Sequence, residues 1–228
     1  MNTPKRLKLA QLPTPIQYLK KTSARVGKEI YVWRDDLTGF LESGNKVRKL
    51  EFLLADAVTQ GCDWIVTCGG SQSNHTRATS VLARRLGLGT SIMISPPKVP
   101  FDPTHDATGN LLLNQIFGAE LTWSDPDEYK KAGSLYLPFL EQEMEKQKSL
   151  GKKPYSIPTG GSSPIGCLGY RAAVPEMLNE FKKIAGASAS PDSLFCALGS
   201  GGTYVGLQLG LLDVGLNLTQ LRAINLFY

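Results

Sequence analysis

The stretch Trp64-Ile65-Val66-Thr67-Cys68-Gly69-Gly70-Ser71-Gln72-Ser73-Asn74-His75-Thr76-Arg77 passes from a short apolar, β-prone run through a glycine pair into a polar segment. The apolar run, Trp64 to Cys68, is too short for a helix and is bounded by glycine, so it reads as a strand. The residues that follow open an amphipathic pattern, Ser73 to Leu86, with Ser73 or Asn74 placed to cap a helix.

The same alternation extends along the chain. Strands are expected at Trp64 to Cys68, Thr90 to Ser95, Leu121 to Trp123, Tyr155 to Pro158, Leu194 to Leu198 and Ala223 to Phe227. Helices are expected at Asn45 to Gln60, Ser73 to Leu86, Ala107 to Phe117, Leu135 to Ser149, Pro164 to Ile184 and Tyr204 to Val214. Short strands alternating with helices specify an α/β protein with parallel sheets. In such sheets ligands sit beyond the carboxyl ends of the strands. Two connections stand out as functional or boundary segments, or as plain surface loops: the proline-rich Pro96 to Asp106 and the Lys-, Gly- and Pro-rich Ser149 to Gly161.

Composition narrows the function classes. With 228 residues, 42% hydrophobic and 20% charged, the chain can bury a proper core. The net charge of +5 is scattered rather than gathered in a stripe, which speaks against nucleic acid and suits a small anionic ligand. Cys62, Cys68, Cys167 and Cys196 lack C-x-x-C spacing, and only His75 and His105 could join them, so no metal site is expected. Neither a signal-peptide core nor a run of 18 apolar residues is present; the expectation is a cytoplasmic protein with no membrane partner.

Four stretches carry chemistry. In Gly44-Asn45-Lys46-Val47-Arg48-Lys49-Leu50-Glu51-Phe52, a turn leads into a helix that Asn45 could cap. Lys46, Arg48 and Lys49 crowd its first turn, where the helix dipole disfavours cations. They form either a solvated basic face with Glu51 as ion-pair partner, or a site in which neighbouring cations and desolvation leave Lys46 partly neutral and able to attack a carbonyl. In the second stretch, the N–H groups of Ser73, Asn74 and His75 could hold a carboxylate, or Ser73 could be a plain cap and His75 a surface residue. The third, Gly199-Ser200-Gly201-Gly202-Thr203, is neither a Walker loop nor a dinucleotide fingerprint; it reads as a nest for a phosphate monoester or as a tight packing turn. The fourth, Pro158 to Gly166, reads as a site wall, a domain joint or a structural turn.

Taken together, in this order and spacing from Leu12-Pro13-Thr14-Pro15 to the last strand, these stretches resemble the D-cysteine desulfhydrase and 1-aminocyclopropane-1-carboxylate deaminase family, within the tryptophan-synthase-β-like pyridoxal-phosphate enzymes. Asp35-Asp36-Leu37-Thr38-Gly39, the Gly44 to Phe52 stretch and Gln72-Ser73-Asn74-His75 carry the resemblance most strongly. It implies fold type II, two open parallel-sheet α/β domains with pyridoxal 5'-phosphate between them: a larger one from residues 1–48 and 156–228 and a smaller one from 49–155. It implies that Lys46 is the Schiff-base lysine and that Lys49 with Gly199, Ser200, Gly201, Gly202 and Thr203 holds the cofactor phosphate. Asn74 would contact the pyridine hydroxyl, and Ser73, Asn74 and His75 would receive the carboxylate of a small amino-acid substrate. Ser73 would also move protons, and the protein would be a homodimer.

The 199–203 and 73–75 loops resemble desulfhydrases more than deaminases, so D-cysteine is the expected substrate, giving pyruvate, sulfide and ammonia. The alternatives are 1-aminocyclopropane-1-carboxylate deaminase or another sulfur-amino-acid lyase. The family's chains continue past this point, with an aromatic that stacks on the pyridine ring and a partner for its nitrogen. Here Arg222 to Tyr228 reads as an apolar strand with nothing after it. A C-terminally truncated chain is therefore expected, with a non-catalytic phosphate- or cofactor-binding chain as the alternative of a different class.

Overall fold

A computed structural model describes residues 5–95, 107–127, 131, 137–216 and 221–225. The Pro96 to Asp106 segment and residues 226–228 lie outside the described residues. The elements are β1 (Ile16–Tyr18), α1 (Lys20–Val26), β2 (Tyr31–Trp33), α2 (Lys46–Thr59), β3 (Trp64–Gly69), α3 (Asn74–Arg85), β4 (Gly89–Ile94) and α4 (Gly109–Ile116). They continue as β5 (Glu120–Trp123), α5 (Leu137–Ser149), β6 (Pro154–Ser156), α6 (Pro164–Arg171), α7 (Ala173–Ala185), β7 (Leu194–Leu198), α8 (Gly202–Asp213) and β8 (Leu221–Asn225).

β3 is the centre of a four-stranded parallel sheet of order β5-β4-β3-β6. Alternate β3 residues serve opposite faces. Ile65 joins Leu50, Leu53 and Leu54 of α2 and Leu82 of α3 on one side, while Val66 and Cys68 meet Phe139 and Leu140 of α5 on the other. Burial on both faces explains why apolar residues fall on both sides of the strand, with Thr67 the one polar side chain and its hydroxyl bonded to the Ile157 carbonyl. Each fully buried Leu or Ile here contributes about 2 kcal/mol. A parallel pair, β7-β8, and an antiparallel pair, β1-β2, complete the described sheets. β7 and β8 leave Phe195 and Ile224 exposed. No helix among the described residues is long and apolar enough to cross a membrane.

The alternation read from the sequence is present, with three differences. The expected Pro164 to Ile184 helix is two helices that break at Ala172. Pro175 has no N–H to give the Arg171 carbonyl, so the chain restarts and carries the proline in the first turn of α7. The β1-β2 hairpin and α1 were not expected, because three-residue strands carry too little pattern to register. The last strand, described over Leu221–Asn225, takes in Leu221 and Arg222 ahead of the expected Ala223 and is in register with all of β7, while the expected end at Phe227 lies outside the described residues.

Helix α6 brings the second half of the chain against α2. At Gly169 an added Cβ would lie 2.3 Å from the Arg48 carbonyl oxygen, so only glycine permits this approach.

Candidate active site

Lys46 is the first residue of α2, and the turn before it is set by the Asp35 to Gly39 motif. The buried Thr38 hydroxyl donates to the Gly44 carbonyl at 2.9 Å, and Gly44 N–H donates back to it at 2.8 Å. Asn45 occupies the cap position, but its side chain does not cap the helix. Its Oδ1 instead accepts from Lys46 Nζ at 3.1 Å, and its Nδ2 lies 3.4 Å from Thr203 Oγ1. One amide thus links the lysine to the 199–203 loop.

The solvated basic face is overturned. Arg48 and Lys49 are fully buried, and Glu51 pairs with Arg6 at 2.7 Å rather than with either of them. Arg48 donates to Asp35 and Glu176, each at 2.8 Å, and lies over the Trp33 ring. Burial opposes its charge, but the Glu176 and Asp35 carboxylates outweigh burial and hold the guanidinium protonated. Asp35 also accepts from the hydroxyls of Thr14 and Tyr170. The charge that α2 must bury is thereby compensated, leaving its two lysines to face other partners.

Burial lowers the pKa of Lys46. It lowers Lys49 further, to about 7, with the Lys46 charge adding to the effect. Lys49 Nζ donates to the Gly160 carbonyl at 3.1 Å and lies 3.4 Å from Ser162 Oγ. Ser162 Oγ is 2.7 Å from Ser200 Oγ and accepts from Gly202 N–H at 3.1 Å. A Cβ on Gly202 would lie 2.5 Å from Ser162 Oγ and 2.8 Å from Lys49 Nζ, and one on Gly160 would lie 2.3 Å from Ser200 Oγ. Glycines therefore keep open a cradle of hydroxyls, amides and an amine at the N-terminus of α8.

Ser73 is the N-cap of α3. Its Oγ accepts from the N–H groups of His75 at 3.2 Å and Thr76 at 3.3 Å, so its own hydrogen is what it can donate. The expectation that Ser73, Asn74 and His75 all turn their N–H groups to a ligand is corrected, because Ser73 N–H donates to Gly70 and His75 N–H to Ser73 Oγ. His75 is buried, not a surface residue, and its Nε2 lies 2.9 Å from Thr67 Oγ1.

A cleft of about 1170 Å³ is lined by Lys46, Lys49, Asn74, Gly199, Ser200, Gly201 and Thr203 among others. Gly202, Ser73 and His75 are not on its lining. Sequence reasoning gives Asn45 only a capping role and assigns none to Gly160 or Ser162 individually, although it reads the Pro158 to Gly166 stretch as a possible site wall. Apart from Lys46 beside Asn45, their partners lie 38 to 158 residues away, beyond the reach of any local pattern. Two desolvated amines beside a phosphate-sized cradle at a helix N-terminus fit an aldehyde that carries a phosphate monoester.

Comparison with known proteins agrees. A bifunctional D-cysteine desulfhydrase/1-aminocyclopropane-1-carboxylate deaminase of Arabidopsis thaliana is 41% identical over 203 residues, which is 89% of this chain and 50% of that protein. A D-cysteine desulfhydrase of Salmonella typhi is 39% identical over 210 residues, 90% of this chain and 60% of that protein. The chain thus spans between half and about three fifths of these relatives. A solved structure of an ACC deaminase homologue is 38% identical with a TM-score of 0.79, covering 97% of this chain and 62% of that one. An L-serine ammonia-lyase from Rhizomucor miehei, 16% identical with a TM-score of 0.68, shares the fold. The sequence profile of the pyridoxal-phosphate dependent enzymes matches residues 7–225, and with relatives at this identity the chain belongs to that family.

Proposed function

We propose that the chain carries the cofactor-binding half-site of a pyridoxal-phosphate-dependent lyase acting on D-cysteine. The observation that carries this reading is the pair of α2 amines, half-buried Lys46 and buried Lys49, set against the glycine cradle of α8. Lys46 attaches the aldehyde, being lowered in pKa by burial and held by Asn45. Lys49, Ser200, Thr203 and the Gly199 and Gly201 backbone hold the phosphate, while Gly202, expected to join them, spends its N–H on Ser162 Oγ and serves by carrying no side chain. When bound, the cofactor supplies a sink for the electron pair left at the substrate Cα. Lys46 moves the Cα proton, Ser73 donates its hydroxyl hydrogen toward the substrate carboxylate beside Asn74, and His75 lies behind them.

In the overall reaction D-cysteine and water give pyruvate, hydrogen sulfide and ammonia. The deaminase reading is second, supported by the relatives that bear that name. We further propose a smaller domain over residues 49–155 set into a larger one, a homodimer, and a cytosolic location, the last in keeping with four free cysteines.

Pyridoxal phosphate should give the protein a visible absorption band that Lys46→Ala abolishes. D-cysteine should then yield sulfide, pyruvate and ammonia in equal amounts. 2-Oxobutanoate and ammonia from 1-aminocyclopropane-1-carboxylate would favour the second reading. A phosphate ligand that binds without the band and survives Lys46→Ala would mark a non-catalytic binding chain. Light scattering that finds only monomer would remove the dimer.

A further inference from the structure

Asn74 lines the cleft, and the way its side-chain amide faces is set through Asn110, a residue outside the motifs that mark the site. Arg77, one turn along α3, has only donors. Its Nη1 donates to Asn110 Oδ1 at 3.1 Å, and its Nη2 donates to the Ser43 carbonyl in the turn ahead of Lys46. With its oxygen committed to Arg77, Asn110 has Nδ2 for its other contacts. That nitrogen donates to the Gln72 carbonyl at 2.8 Å, an atom that can only accept, and to Asn74 Oδ1 at 3.0 Å. Gln72 closes the clasp, with Oε1 accepting Asn110 N–H at 3.0 Å and Nε2 donating to the Thr108 carbonyl at 3.0 Å. Every bond in this relay has a forced direction. Asn74 must meet Asn110 with its oxygen, and its NH2 group is left for the cleft.

We propose that Asn110, held by Arg77, is a positioning residue that makes Asn74 a hydrogen-bond donor to an oxygen of the ligand. Naming that oxygen as the ring hydroxyl of the cofactor rests on the function proposed above, whereas the orientation of the amide does not. An unrestrained amide presents either end to a ligand. The relay removes one of the two choices before the ligand arrives, which is how a polar contact becomes selective.

Asn110→Asp tests this, because the carboxylate keeps an acceptor for Arg77 but puts oxygen where the donor stood. Asn74 should then turn its NH2 toward residue 110 and present Oδ1 to the cleft. Neutron diffraction, which separates N–D from O, reads both states without cofactor. An oxygen facing the cleft in the unsubstituted protein, or an Asn74 that does not turn in Asn110→Asp, overturns the proposal. If the variant does not fold, the map of the unsubstituted protein decides. Binding gives the second readout, using pyridoxine 5'-phosphate and its 3-deoxy analogue, neither of which has an aldehyde for Lys46. The unsubstituted protein should prefer the hydroxylated compound about tenfold, and Asn110→Asp should abolish the preference while binding the deoxy compound unchanged. Binding of neither compound would defeat the reading of the cleft and leave the diffraction result to decide the relay. A preference that persists in Asn110→Asp would overturn it.

Discussion

Thr67 Oγ1 and His75 Nε2 lie 2.9 Å apart in the buried interior, and the direction of their hydrogen bond is fixed. The threonine has one hydroxyl hydrogen, which goes to the Ile157 carbonyl at 2.8 Å, so the imidazole donates from Nε2. His75 is therefore the Nε2–H tautomer. Its Nδ1 is a bare acceptor, buried and without a hydrogen-bond partner among the described residues. Burial first, and then the charges of Lys46 and Lys49, holds the ring pKa well below its usual value. A neutral ring whose one N–H is spent on Thr67 has no donor for a substrate carboxylate.

Nitrogen-15 spectra should show His75 as the neutral Nε2–H form at pH 6, where an ordinary imidazole is largely charged. Because the folded pKa lies below the unfolded value of about 6.5, its contribution to stability is present above that pH and is lost as the pH falls below it. Thr67→Val, which strands the Nε2–H, should cost about 1–3 kcal/mol in urea unfolding. A ring that is charged at pH 6 would refute the assignment.

Lys49, with its pKa lowered to about 7, is mostly neutral at pH 8 until an anion arrives. A phosphate dianion beside it restores the charge, so binding should take up a proton. Calorimetry with pyridoxine 5'-phosphate at pH 8, in buffers of different ionisation enthalpy, should detect uptake that Lys49→Met removes. Equal heats in all buffers would contradict the lowered pKa.

Two adjacent glycines should fail in different ways. Gly201 has φ 85° with nothing within 4 Å of an added Cβ, so Gly201→Ala should cost about 1 kcal/mol of stability through backbone strain. A Cβ on Gly202 meets Ser162 and Lys49 instead, so Gly202→Ala should weaken phosphate binding about tenfold or more. Melting and binding measured on both variants separate the two effects.

Arg48→Met should destabilise the protein by about 3–5 kcal/mol, since it leaves Asp35 and Glu176 without the cation between them. A chemical unfolding midpoint unchanged from that of the unsubstituted protein would mean that the network contributes nothing.

The sequence by itself determined the alternation of strands and helices, because apolar periodicity and glycine punctuation are local and β3, α3 and β7 needed nothing else. It also marked the glycine-rich turns that supply Asn74 and Gly199 to Thr203, residues that, Gly202 apart, line the cleft, since in parallel sheets helices start beyond the carboxyl ends of the strands. Tertiary structure alone decided whether Lys46, Arg48 and Lys49 are a wet surface or a buried site, because the same basic triplet serves either until Asp35, Glu176 and the glycine cradle close on it. It decided that Asn45 bridges Lys46 to Thr203 instead of capping α2, and that Asn110 turns Asn74. Such choices depend on hydrogen-bond partners brought together from 36 to 158 residues away, and no local pattern encodes the direction in which a distant donor points.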